Sequence, residues 1–154
     1  EQTQWLEKQL ADCKAPFLIL TSGTMWSDVV SKGKDSWGVW DPAGRQRIFS
    51  MITEKKLAVL LLSGDRHGAR VMRIPSKPGH AFREFEVGSL GGHPGPSAKS
   101  NDNKLQLFGM EKTPLFGEFA FETTGPEPTV TARILDAEGN EVYSERLRRS
   151  ELIP

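Results

Sequence analysis

The run Leu57–Leu62, "LAVLLL", constrains this chain more than any other stretch. A strand that is apolar at every position has no solvent face, so it must be covered on both sides. That requirement points to a layered α/β arrangement. The run ends abruptly in Ser63-Gly64-Asp65-Arg66-His67-Gly68. The chain leaves its most buried segment and at once presents an acid, a guanidinium and an imidazole between two glycines. Either Asp65 caps a charged turn and His67 is a surface side chain, or the turn is a chemical centre.

The residues before this run supply its partners. Thr3 is placed to cap a first helix, with Trp5, Leu6, Leu10 and Cys13 roughly on one face and Ala15-Pro16 at its end. "FLILTSG" (17–23) reads as a buried strand closed by Gly23. Residues 24–41 form a long loop that carries Trp26, Trp37 and Trp40. Asp41-Pro42 then opens a second helix, with Asp as N-cap, Pro in the first turn and Ile48, Phe49 and Ile52 as the buried stripe. Helix, strand, loop, helix, strand with short connections predicts two parallel strands.

From Ala69 onward the period changes to that of strands. "ARVMRI" (69–74) and "FREFEV" (82–87) flank a turn-rich segment and predict a hairpin. Residues 88–104 lack apolar periodicity and read as a large surface loop. "LFGEFAFE" (115–122) alternates, and "TVTARILD" and "EVYSERL" flank "AEGN", a second hairpin with Gly139 near a position needing positive φ. The expected fold is α/β: two parallel strands, then mainly antiparallel ones, flanked by helices.

Composition narrows the partners. The 154 residues suffice for one domain with a core, and 37% apolar with 26% charged residues is a globular composition. Twenty basic residues balance twenty acidic ones, so no long-range field steers polyanions and general nucleic-acid binding is disfavoured. The single cysteine, Cys13, excludes an internal disulfide and is expected to pack. No apolar run has the length of a membrane span. The chain begins without methionine and reads as the inside of a longer protein, so targeting is left open.

In open α/β sheets, ligands gather beyond the carboxyl ends of the parallel strands. Ser63–His67 and the "TSGTMW" segment (21–26) follow two such ends and can face one cleft. Asp65 and His67 offer oxygen and nitrogen to zinc, iron or manganese. Two donors do not complete a metal site.

At these residues the chain resembles the alkaline phosphatase D-like phosphodiesterases, a branch of the calcineurin-like metallophosphoesterases. "SGDRH" resembles the branch's last metal motif, Gly-Asp-x-His. "QTQWLEKQLADCKAPFLILTSGTMW", "DSWGVWDPAGRQRIFSMITEKKLAVLLLSGDRH", "FGEFAFE" and "ARILDAEGNEVYSERL" resemble the family's flanking segments in order, over roughly residues 2–148. The resemblance implies the C-terminal half of a layered metallophosphoesterase-like β-sandwich, either as a single domain over 1–154 or as a fragment of a larger one. It implies Asp65 and His67 as metal ligands, with two metal ions, iron and calcium or other divalent cations. It also implies hydrolysis of phosphate mono- or diesters by a hydroxide that two metals activate. Ser22 and Thr24 stand where many metallophosphoesterases place a histidine or amide, and are expected to bond a phosphate or a water. Arg66 is expected either to contact phosphate or to form a structural ion pair. The family's N-terminal motifs are absent, so the N-terminal half of the same protein becomes an expected partner and this chain alone is expected to be inactive. Secretion or a periplasmic location is implied by the family only.

A second reading stays open: a non-catalytic metallophosphoesterase-like module that binds a ligand or partner through the 24–41 and 88–104 loops. The tryptophans of 24–41 are either an aromatic wall of the substrate cleft or a satellite core pinning the loop. His80 and His93 are expected to be exposed loop histidines, and Arg45 and Arg47 to pair with acids or to reach the cleft.

Overall fold

The computed structural model describes residues 1–28, 35–91, 93, 95 and 104–154. Most of the expected 88–104 loop and the middle of the 24–41 loop lie outside the described residues. Helix α1 (Gln2–Asp12) precedes β1 (Leu18–Thr21), the one-turn α2 (Trp37–Trp40), α3 (Pro42–Lys55) and β2 (Val59–Ser63). Six further strands follow: β3 (Ala69–Lys77), β4 (His80–Val87), β5 (Gln106–Met110), β6 (Leu115–Glu122), β7 (Thr129–Asp136) and β8 (Glu141–Arg148). A 3-10 turn, Arg149–Leu152, follows β8.

The strands form two sheets. One is mixed, in the order β1-β2-β4-β3-β5, and the other is an antiparallel β6-β7-β8 meander. β1 and β2 are parallel, as the short connections require, and β4 adds a third parallel strand on the other side of β2. The β3–β4 hairpin therefore docks through its second strand, and β3 lies one strand away from β2. In consequence residues 64–68 must step across the carboxyl end of β4 to reach β3. The ends of β1, β2 and β4 share one sheet edge, where Thr21 aligns with Leu62 and Ser63 with Glu86.

The apolar run behaves as its composition demands. Leu60, with Val71 and Phe85, packs against Leu115, Val130, Ala132 and Ile134 of the meander. Val59 and Leu61, with Phe82, pack on the other face against Leu10, Ile48, Phe49 and Ile52 of the helices. The molecule is thus three layers: helices, mixed sheet, antiparallel sheet. Asp41 caps α3 through Gly44 N–H at 2.9 Å, a bond worth about 1 kcal/mol. Gly139 turns the second hairpin at φ +83°.

Three expectations are corrected. Helix α1 starts at Gln2, so Thr3 lies inside it and caps nothing. Trp5 is exposed, and Leu10 alone is fully buried in α1. β1 is not a buried strand: it is an edge whose positions alternate between half-buried and exposed.

Candidate functional site

The loop after β2 is built from unusual backbone. Asp65 has φ +74° and His67 φ +52°, left-handed conformations that few non-glycine residues adopt. Asp and His are among those that tolerate this region best, and such conformations cluster at functional sites. Both side chains are exposed. Asp65 makes no hydrogen bond or ion pair among the described residues, so it does not cap its own turn.

His67 is held from one side. Its Nδ1 lies 2.6 Å from the carbonyl oxygen of His93. A carbonyl only accepts, so Nδ1 carries the proton and the neutral ring keeps its lone pair on Nε2. Gly95 N–H donates to the carbonyl of His67 at 3.0 Å. A Cβ on Gly95 would stand 2.2 Å from the carbonyl oxygen of Arg66, so only glycine admits this approach. A histidine whose far nitrogen is fixed by a carbonyl is oriented as metal-binding histidines are.

Asp65 shares a cleft of about 440 Å³ with Ser22, Gly23, Thr24, Trp37, Trp40 and Asp41. Ser22 Oγ accepts from Trp37 Nε1 at 2.7 Å and from Thr24 N–H at 3.1 Å. Both lone pairs are used, and the Ser22 proton is left to donate. Thr24 Oγ1 is buried without a partner among the described residues, a capacity that a ligand or water satisfies. Asp41 is occupied by its cap on α3. The tryptophans divide between the two expected roles. Trp26 is core, stacked on Trp37 at 5.4 Å, whereas Trp37 and Trp40 line the cleft and Trp40 is exposed.

Arg66 does not line this cleft; its Nη1 faces Asp35 Oδ2 at 3.5 Å. His67 is not among the cleft's walls either, so the structure gathers Ser22, Thr24 and Asp65 and leaves His67 and Arg66 beside them. Arg45 pairs with Asp28 at 3.0 Å and donates to the carbonyl of Trp26 at 2.6 Å, while Arg47 faces Glu7 at 3.8 Å. His80 is half-buried at the start of β4, not an exposed loop residue.

Beneath the loop lies a polar layer that sequence reasoning missed. Glu84, Glu86 and Arg70 are fully buried on the helix side of the mixed sheet. Glu84 Oε1 accepts from Trp26 N–H at 2.8 Å and from Ser63 Oγ at 2.6 Å, and its Oε2 accepts from Ser27 N–H at 2.9 Å. Burial pushes the Glu84 carboxyl up to about 7, against the downward pull of these three donors. Glu86 is also raised by burial and is opposed chiefly by its ion pair with Arg70. The alternation of "FREFEV" held the signal. Phe82 sets this face of β4 against the helices, so Glu84 and Glu86 on the same face are covered too, and these acids need partners.

Among the described residues no group of three or more His, Cys, Asp or Glu is placed to hold a metal. Asp65 and His67 fit a share of such a site: an unpartnered carboxylate, and an imidazole oriented through Nδ1 with Nε2 left over. No described helix is long and apolar enough to cross a membrane.

These observations define a layered α/β protein with a loop-built cleft at the carboxyl edge of parallel strands. The family model for PhoD-like phosphatases matches residues 1–124, and the chain belongs to that family. A solved structure of PhoD is similar in fold, with a TM-score of 0.60 and 20% identity. The match covers 94% of this chain and 35% of that one, so the chain spans about a third of its neighbour's length. No curated protein matches the chain.

Proposed function

We propose that this chain supplies the C-terminal part of the site of a metal-dependent phosphatase or phosphodiesterase, with Asp65 and His67 as metal ligands. The observation that carries this reading is that one loop holds both an Asp65 carboxylate without a partner among the described residues and a His67 ring fixed through Nδ1 by the carbonyl of His93. Both residues adopt the left-handed region on one loop, at the edge where α/β sheets bind ligands. Bound metal ions supply Lewis acidity to the phosphoryl oxygens and lower the pKa of water. Asp65 contributes negative charge and His67 a neutral nitrogen. Ser22 donates its hydroxyl proton to a phosphate oxygen, and Thr24 offers the unsatisfied Oγ1. Trp37 and Trp40 wall the side of the cleft that receives the remainder of the ester. The other metal donors come from the N-terminal half of the same protein, and this chain alone hydrolyses little.

Calorimetric titration of Mn²⁺ into the full-length protein tests this assignment, with phosphatase activity followed in parallel. D65A and H67A are each expected to weaken Mn²⁺ binding by roughly a hundredfold and to abolish turnover. Unchanged metal affinity together with unchanged activity in H67A would sink it.

A further inference from the structure

We propose that Glu84 is the positioning residue of the cleft: its buried carboxylate gathers the loop after β1 onto the end of β2, so that Ser22 and Trp37 line one cleft with Asp65. The importance of that cleft rests on the reading given above; the latch itself is argued from the bonds and the burial of Glu84 and does not need that reading.

Two pieces of chain remote in sequence from Glu84 and from each other meet on this one carboxylate. Trp26 and Ser27 bring their backbone N–H groups at 2.8 and 2.9 Å, and Ser63 brings its hydroxyl at 2.6 Å, two residues before Asp65. Trp26 then ties the loop a second time, through Nε1 to the carbonyl of Leu62 at 3.2 Å, and stacks on Trp37. Trp37 reaches Ser22. An unbroken set of contacts therefore runs from Glu84 to the hydroxyl at the cleft. A residue that merely fills the core at this place would be apolar, as Val59, Leu61 and Phe82 are on the same face. A buried carboxylate is costly and is held only where its bonds are made.

The same burial makes the latch responsive to protons. Burial is the leading cause that holds the Glu84 carboxyl up near 7 and outweighs the three donors that pull it down, so opening the loop to water would lower it toward the ordinary range. Protons therefore bind the closed form more tightly, and the loop loosens as pH rises. Among the described residues the charged groups around Glu84 are few. Glu86 on the same strand pushes it up. Arg70 on β3 is paired with Glu86. From α3, Arg45 faces Asp28 and the carbonyl of Trp26, on the far side of the loop. The neighbours of Glu84 in register are Leu61 on β2 and Met72 on β3, both uncharged.

Amide exchange measured by NMR on the full-length protein, corrected for intrinsic rates, tests the latch between pH 5.5 and 8.5. In the wild type, protection of Trp26 and Ser27 is expected to fall roughly tenfold or more across this range, and the Trp37 indole resonance to shift with the same midpoint. E84Q keeps the shape but not the acid, and should show lower protection that no longer depends on pH. S63A, which removes only the hydroxyl, should keep the pH dependence with a moved midpoint. Should E84Q fail to fold, the wild-type titration decides alone. Flat protection of Trp26 and Ser27 in the wild type, or a pH dependence that survives in E84Q, overturns the proposal. These signals are read without metal, so failure of the Asp65–His67 assignment in the Mn²⁺ titration leaves them intact and is recognised separately.

Discussion

Two Asp-containing turns of this chain look alike in sequence, and the structure puts them to opposite uses. In "DAEGN", between β7 and β8, the carboxylate of Asp136 accepts from Asn140 N–H at 2.8 Å, Glu138 N–H at 3.1 Å and Asn140 Nδ2 at 3.0 Å. The positive φ falls on Gly139, where it costs little. In "SGDRHG", between β2 and β3, the positive φ values fall on Asp65 and His67, and Asp65 has no partner among the described residues. One turn satisfies its acid and rests on its glycine. The other leaves its acid without a partner among the described residues and bends at Asp65 and His67 instead of Gly64. A turn that only has to reverse the chain adopts the first solution, and the second is expected where side chains must be aimed.

The largest test of this contrast is catalytic. In the full-length protein D65N should lower turnover roughly a hundredfold or more, whereas D136N should leave it unchanged. Both substitutions are nearly isosteric, so size does not separate them. Equal activity in the two variants would reduce Asp65 to another surface turn.

Next in size is the pH dependence that the polar layer beneath the loop confers. Glu84 is held near 7 in the folded state, above its ordinary range. The folded protein therefore binds this proton when the unfolded chain has already lost it. The contribution is fully present below about pH 4.5 and is lost as pH rises through 7, on the order of 3 kcal/mol in all. Urea denaturation of the wild type between pH 5 and 8 should record the decline, and E84Q should remove most of its slope. A wild-type stability that rises over this window would contradict the assignment. The meander hairpin has no counterpart: the carboxyl of Asp136 is held low by Asn140 and its contribution disappears only in acid, as pH falls through its folded value.

These two turns also mark how far the sequence could be read. The six apolar residues 57–62 demanded cover on two faces, and the structure provides helices on one and the meander on the other. The Asp41-Pro42 start of α3 and the glycine of the second hairpin were legible because each is settled by neighbours within four residues. The loop carrying Asp65 was legible by its place after the apolar strand. The insertion of β4 between β2 and β3 was not, since strand order depends on contacts far apart in sequence. That insertion puts Glu84 and Glu86 in the interior of the sheet, where both are buried. Strand β5 carries no alternation strong enough to declare itself. The carbonyl of His93 that orients His67 comes from 26 residues away, within a segment with no periodicity to place it.

A smaller effect separates the turns by stability. D136A removes three hydrogen bonds from an exposed hairpin and should lower the Tm by roughly 2–4 °C. Differential scanning calorimetry at neutral pH reads this directly. An unchanged Tm would show that the backbone bonds from Asp136 N–H to the carbonyl of Asn140 and from Gly139 N–H to the carbonyl of Asp136 hold the hairpin without the carboxylate.

The smallest effect has the opposite sign and is the most discriminating. Among the described residues Asp65 makes no bond to lose, and its φ of +74° is one that glycine adopts freely. D65G should relieve left-handed strain, partly offset by the greater freedom of glycine in the unfolded chain, for a net gain of roughly 0.5 kcal/mol. In chelator-treated protein, where no metal can mask the difference, the Tm of D65G should therefore match or slightly exceed that of the wild type, while Mn²⁺ affinity is lost. Strain retained at the cost of stability is what a residue kept for its chemistry shows. A clear fall in Tm would mean that Asp65 holds its own turn together, and the contrast with Asp136 would then fail.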